Sequence, residues 1–279
     1  ADGVLYVGVY DGSSADVVAL DPATGSALGS AVPVNGWPVV WSDGTRVFAA
    51  GDAGNGSGVI WQLHPDSPPE VVVTGRTYPS AIAADATSIY WGDQPGLNTY
   101  AVEQQPLAGG SARALTNLCY EPQPQSLFLD DTNLYCTSFE NPSAIIRMPT
   151  SGSGAATELG CGATYPIFAS AREGSDLYFI EANPMAVLWQ VALPDGPCTQ
   201  IQQSSTYGRV TALAATADYF YDADYDAGIW RIPRDTLVPQ LVVSAIGVGQ
   251  SLFVWQGQLF FQEPNPVDPG QEYIMHCAD

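Results

Sequence analysis

Two residue types recur along this chain at intervals that could assemble a chemically active surface. Carboxylates stand at Asp11, Asp52, Asp93, Glu140, Glu181, Asp222 (with Asp224) and Glu263, one for each stretch of roughly forty residues. Aromatics stand at Trp37, Tyr78, Tyr120, Tyr165 and Tyr207, spaced 41, 42, 45 and 42 residues apart. Flat rings beside carboxylates can stack on sugar rings while the acids bind hydroxyls. They can equally capture Arg, Lys or quaternary amines by cation–π attraction. The structural alternatives are plain: Asp opens turns, and a ring repeated with the period of a fold can simply pack on the next repeat.

Catalytic constellations are scarce. There are two histidines, His64 in an LHPD segment and His276 beside Cys277. Neither recurs with a Ser or Cys nucleophile at a recognisable spacing. No GxSxG, HExxH, phosphate loop or dinucleotide fingerprint is present, which disfavours a serine or cysteine hydrolase. Asp222, Asp224 and Asp226, in the segment YFYDADYD, alternate like the carboxylates of a calcium loop, making Ca²⁺ the candidate ion. The segment lacks the Gly and the Glu of an EF-hand loop. One carboxylate per repeat is too dispersed for a single Ca²⁺, which needs roughly six to eight oxygens close by. No other cofactor is implied. Asn55-Gly56-Ser57 has the form of a glycosylation sequon.

The elements that would position these residues are short strands. The segment 78–117 reads as four strands, SAIAAD, SIYWGD, NTYAVEQ and ARAL, joined by turns rich in Gly, Asp, Pro and Ser. Its second strand recurs at Leu5, Val47, Ile89, Leu134, Leu177, Tyr219 and Leu259, with spacings of 42, 42, 45, 43, 42 and 40 residues. A four-stranded unit of this period is one blade of a β-propeller. The expected fold is therefore all-β: a single domain over 1–279 with seven four-stranded antiparallel blades, and a six-bladed closure as the second choice. The first unit lacks a clear inner strand and the last lacks a clear outer one.

In such a fold the loops after the second strands and the connections entering the inner strands share a face. The recurring carboxylates follow the seven anchors by 3 to 6 residues, so both sets would gather there. Trp37, Tyr78 and Tyr165 each precede Pro, which biases them to an extended backbone aimed into the inner strand. Gly247-Val248 leaves a gap in the aromatic set. The third strands carry triplets such as Trp61-Gln62-Leu63 and Trp230-Arg231-Ile232. Alternation places the first and third of each on one face, as blade-to-blade core.

Charge restricts the partners. Twenty-nine acids face 8 bases, a net charge of −21, and every base is arginine. That field repels phosphate backbones and anionic membranes, and no apolar run is long enough to span a bilayer. Nucleic acid and membrane insertion are excluded; cations, basic peptides and neutral glycans remain. The chain opens directly into a strand, as an exported protein does after cleavage of its leader. Five cysteines without zinc spacing then predict two disulfides and one odd thiol. Cys119–Cys136 is the preferred pair because a hairpin brings both to one face. Cys161–Cys198 is the second, and Cys277 is left over.

The segments PSAIAADATSIYWGD with PLAGG, and LYVGVYDGSSADVVALDPATGSALGSAVPVNGWPVV, resemble repeats of bacterial extracellular propellers of the YWTD, NHL and YVTN groups. Only Tyr90-Trp91-Gly92-Asp93 matches the tyrosine-tryptophan-x-aspartate run. The resemblance covers nearly the whole chain and implies binding or scaffolding more often than catalysis. The expected function is a secreted, surface or periplasmic module that binds a protein or glycan through the aromatic and acidic face. The alternatives are a Ca²⁺-assisted hydrolase or lactonase, as propellers of that kind hold the ion on channel carboxylates, and a structural subunit of a surface assembly rather than a monomer.

Overall fold

The computed structural model describes residues 3–10, 15–29, 31–52, 57–65, 67–77, 79–96, 99–119, 127–138, 144–162, 165–182, 186–204, 209–244, 247, 251–264 and 272–278. For 10, 35–37, 95, 96, 99, 138, 182, 203, 204, 263, 264 and 272–278 it describes the backbone alone. Regular structure among these residues is entirely β. No helix among them is long and apolar enough to cross a membrane.

The strands form six sheets among the described residues. The first takes, in order, β1 (Leu5–Tyr10), β2 (Ala15–Leu20), β3 (Val32–Ser42), β4 (Val47–Asp52), β5 (Gly58–His64) and β6 (Ser67–Arg76). The second takes β7 (Ile82–Ala84), β8 (Ser88–Gly96), β9 (Thr99–Pro106) and β10 (Arg113–Thr116). The third takes β11 (Leu127–Leu129), β12 (Asn133–Ser138), β13 (Ala144–Pro149) and β14 (Thr157–Leu159). The fourth takes β15 (Ile167–Glu173), β16 (Asp176–Ala182), β17 (Ala186–Ala192) and β18 (Cys198–Ser204). The fifth takes β19 (Val210–Ala215), β20 (Tyr219–Asp224), β21 (Gly228–Pro233) and β22 (Gln240–Val243). The sixth takes β23 (Leu252–Trp255), β24 (Gln258–Pro264) and β25 (Glu272–Ala278). Four-stranded antiparallel meanders of this kind are the blades of a β-propeller.

The blade count is six, not the seven expected from the anchors. The reason is β3. It runs unbroken for 11 residues; Val32 to Val34 pair with β2, while Val39 to Ser42 pair with β4. The outer strand expected to end the first unit and the inner strand of the second are thus one strand, and two repeats share one sheet. Pro38 sits where the register shifts between Asn35 and Val39, the kind of irregular position a strand proline tolerates because it cannot donate to the ladder.

The chain divides into two compact units, Ala1–Cys136 with Met148–Ala156 and Thr137–Arg147 with Thr157–Asp279. In the first, alternation along β4 sends Phe48 and Ala50 to one face, where they pack with Ile60, Val73, Ile82, Ile89 and Trp91. Val47 and Ala49 turn to the other face and join Val17, Val34, Trp61 and Leu63. In the second unit Phe220 packs with Tyr178, Ile180 and Leu188 of the fourth sheet. Tyr221 and Ala223 instead meet Leu259 and Phe261 of the sixth. Trp61 with Leu63, and Trp230 with Ile232, lie in shared clusters as the triplet pattern predicts. Each fully buried Phe, Leu or Ile contributes about 1.5–3 kcal/mol.

A repeated clasp closes the turn into the second strand. It reads Asp-x-Thr-x-x-aromatic, as Asp43…Phe48, Asp85…Tyr90 and Asp130…Tyr135. Asp85 Oδ1 accepts from the Thr87 and Ser88 amides at 2.7 and 2.8 Å, and its Oδ2 accepts from the Tyr90 hydroxyl at 2.6 Å. Asp130 repeats this with the Thr132 and Asn133 amides and the Tyr135 hydroxyl. In the clasp at Asp43 a guanidinium replaces the phenol: Arg46 Nε donates to Asp43 Oδ2 at 3.0 Å.

Both predicted disulfides form. Cys119, three residues past β10, joins Cys136 on β12, with Cα atoms 6.2 Å apart. Cys161, just past β14, joins Cys198 at the start of β18, with Cα atoms 4.9 Å apart. Two disulfides fit a non-reducing compartment, extracellular or periplasmic. The Cys277 and His276 side chains lie outside the described residues.

Candidate functional site

Among the described residues, four carboxylates occupy equivalent structural positions. Asp52 pairs with Gly58, Asp93 with Ala101, Glu181 with Val187 and Asp224 with Gly228, each near the loop end of the second strand. The inner strand makes the equivalence firm. Glu181 faces Ile167 just before a register shift at Ala169, and Asp224 faces Val210 just before the same shift at Ala212. In the fifth sheet Asp224, not Asp222, therefore holds the repeat position.

Three of these acids are buried: Asp93, Glu181 and Asp224. Asp52 is half-buried. Their oxygens serve the backbone. Asp93 Oδ1 accepts from the Thr77 amide at 3.2 Å and from the Gln94 amide at 2.9 Å. Glu181 Oε2 accepts from the Tyr165 amide at 3.2 Å. In both, the acid grips the connection that enters the inner strand from sixteen residues upstream. Asp224 Oδ1 accepts from the Asp226 and Ala227 amides at 2.8 and 3.2 Å, closing the next turn. Asp11 and Glu140 lie outside the described residues, as does the Glu263 side chain.

Of the aromatics, Tyr165 is described completely. It stands at the entry to β15 and is exposed. Tyr78, Tyr120 and Tyr207 lie outside the described residues, and Trp37 is described by its backbone in β3 alone. The structure adds Tyr225, the residue after Asp224, and Phe168, the residue at the β15 register shift; both are exposed. Tyr225 lies within the acidic run YFYDADYD, but its place at a strand end follows only from the register.

Tyr225 is held on two sides. Its amide donates to the Arg209 carbonyl at 2.9 Å, and its own carbonyl accepts from Gly247 at 2.7 Å. The Arg209 guanidinium carbon lies 4.6 Å from the centre of its ring. Because Glu181 and Asp224 end equivalent strands of adjacent sheets, Tyr165, Arg209, Tyr225 and Asp226 all belong to the same end of the second unit.

Asp222 is different in kind. It shares a face of β20 with Phe220, opposite Leu213 and Trp230, and its side chain is fully buried. Neither carboxylate oxygen has a hydrogen-bond partner. Burial first, and the nearby Asp224 second, push its pKa well above the ordinary aspartate value. No group of three or more His, Cys, Asp or Glu that could hold a metal ion occurs among the described residues. Asp222, Asp224 and Asp226 therefore do not form such a cluster by themselves.

Neither a protein-family model nor a curated protein matches the sequence. The resemblance to the YWTD, NHL and YVTN groups thus remains one of pattern. Solved structures do match, 979 chains of them, so the fold is widely used and does not name a function. One is the crystal structure of the computationally designed Ika8 protein, 14% identical, with a TM-score of 0.63 over 95% of this chain and 79% of that one. At that identity the likeness shows the fold alone, and with the six antiparallel sheets it places this chain among the all-β propellers.

Proposed function

We propose that this chain is a non-enzymatic binding and scaffold module, exported from the cell, which engages a protein or glycan at the loop end of its blades. The observation that carries the reading is the pair Tyr165 and Tyr225, exposed on turns that Glu181 and Arg209 anchor. Rings on such anchored turns offer contact area at small entropic cost. The other recurring aromatics, Trp37, Tyr78, Tyr120 and Tyr207, and the carboxylates Asp52, Asp93, Glu140, Glu181, Asp222 and Glu263 are further candidate contacts, each within its own repeat. Screening the protein and its Y165A/Y225A variant on peptide and glycan arrays tests this. Partners should be lost from a variant whose melting temperature is unchanged; partners retained in full would refute the placement.

Asp222 favours a second reading, a Ca²⁺-assisted hydrolase or lactonase. A buried carboxyl with raised pKa and open oxygens is a common mark of a reactive site. In that reading Asp222 is the candidate ligand, and Asp222, Asp224 and Asp226 would not complete the ion's shell by themselves. Millimolar Ca²⁺ should then raise the melting temperature and EDTA reverse the rise, with lactone or ester turnover following the same pattern. No shift and no turnover would end it.

A further inference from the structure

The loop end of the fourth and fifth sheets carries more than exposed rings: it shows which chemistry the rings already hold. The guanidinium of Arg209 rests on Tyr225 at 4.6 Å. The Tyr225 amide and carbonyl are both bonded to neighbouring chain, so the backbone that carries the ring is held on both sides. Even so the residue keeps 39% of its surface exposed, and Tyr165 keeps 37%. Asp226, the residue after Tyr225, is exposed and adds a carboxylate beside the ring. The whole chain adds a net charge of −21.

A sugar would need more. Stacking on a ring fixes a sugar only when polar groups at the rim bind its hydroxyls. The carboxylates closest in sequence are already engaged: Glu181 Oε2 with the Tyr165 amide, and Asp224 Oδ1 with the Asp226 and Ala227 amides. Both are also buried. A cation needs only a ring face and a negative field, and both are present.

We infer that this site takes a basic polypeptide segment, whose arginine or lysine side chains seat on Tyr165 and Tyr225 with Asp226 as counter-charge. The inference rests on the binding reading given above and names its partner class. Arg209 is then an internal occupant of one position, competing with the incoming side chain.

Fluorescence anisotropy with labelled nona-arginine and nona-lysine peptides tests it, with a Gly-Ser peptide and a neutral glycan array as the other arms. The intact protein should bind the basic peptides. Y165L and Y225L keep apolar bulk and net charge but lose the aromatic ring. Each should weaken binding roughly two- to tenfold. R209A should tighten it, because a competitor is removed. Equal binding by the Tyr→Leu variants would mean attraction by net charge alone and overturn the inference. A neutral glycan lost from the same variants would also overturn it, while leaving the binding module intact. If no basic peptide binds and array partners survive Y165A/Y225A, both readings fail. Melting curves identify any variant that fails to fold, and R209A then carries the decision.

Discussion

Tyr90 and Asp85 show how a single hydroxyl can organise a turn. The Tyr90 oxygen donates to Asp85 at 2.6 Å and accepts from Gln104 at 3.1 Å. Tyr90→Phe should cost about 1–2 kcal/mol in denaturant unfolding, and Tyr135→Phe a similar amount. The same groups set a pH dependence. Burial alone would raise Asp85, but the Tyr90 hydroxyl and the Thr87 and Ser88 amides outweigh it and hold the carboxyl below its usual range. Asp130 is lowered in the same way through Tyr135, Thr132 and Asn133. Their stabilisation is full above the unfolded carboxylate value, about 3.9, and is lost as pH falls through the folded one. Burial and the Asp85 charge push Tyr90 up to about 12. Its contribution is full below about pH 10 and disappears as pH rises through the folded value. Asp222 has the opposite sign from the other aspartates. With its folded pKa raised, its contribution is full below about pH 3.9 and is lost as pH rises. Asp222→Asn should therefore raise the melting temperature at pH 7, with the gain shrinking towards pH 4; a gain that is constant with pH would contradict this. The sequence displayed the period of the carboxylates plainly. It did not show that Glu181 and Asp93 bind backbone amides, because that depends on a partner sixteen residues away. Nor did it separate Asp222 from Asp224, which a one-residue register shift decides.

At the scale of elements, the second strands were the most legible. All seven anchors fall in β1, β4, β8, β12, β16, β20 and β24, because these strands, the half-buried β1 apart, are buried on both faces and read as apolar runs bounded by turns. Their count still misled. Whether an outer strand stops before the next inner strand starts depends on backbone continuity through Asn35-Gly36-Trp37, which polar and turn-forming residues concealed. Close approach of elements also left a faint sequence signal. A side chain at Gly58, the first residue of β5, would collide with the Pro79 ring that precedes β7. Gly58→Ala should thus destabilise by about 1–3 kcal/mol, by overpacking rather than by a change of backbone preference. The disulfides act on the unfolded chain. Cys119–Cys136 closes a separation of 17 residues, and replacing both by Ser should cost about 3 kcal/mol. For Cys161–Cys198, with a separation of 37, the loss should be about 4 kcal/mol. Equilibrium unfolding of the two double variants measures both.

For the molecule as a whole, charge opposes compactness. A net charge of −21 on 279 residues means that repulsion among acids exceeds attraction to the few bases. Raising salt from about 0.1 M to 1 M shortens the screening length from about 10 Å to 3 Å. The melting temperature should rise over that range even though ion pairs such as Arg76–Glu103 weaken. A fall would place the pairs above the repulsion. The unbroken β3 carries a different consequence. In a strictly modular array, a gene could be re-opened at any boundary between repeats and the chain circularly permuted there. Here the boundary between the first two repeats runs along the middle of a strand that serves both of them. New termini at 35–38 should prevent refolding, whereas termini at the exposed Gly109-Gly110 turn should be accepted.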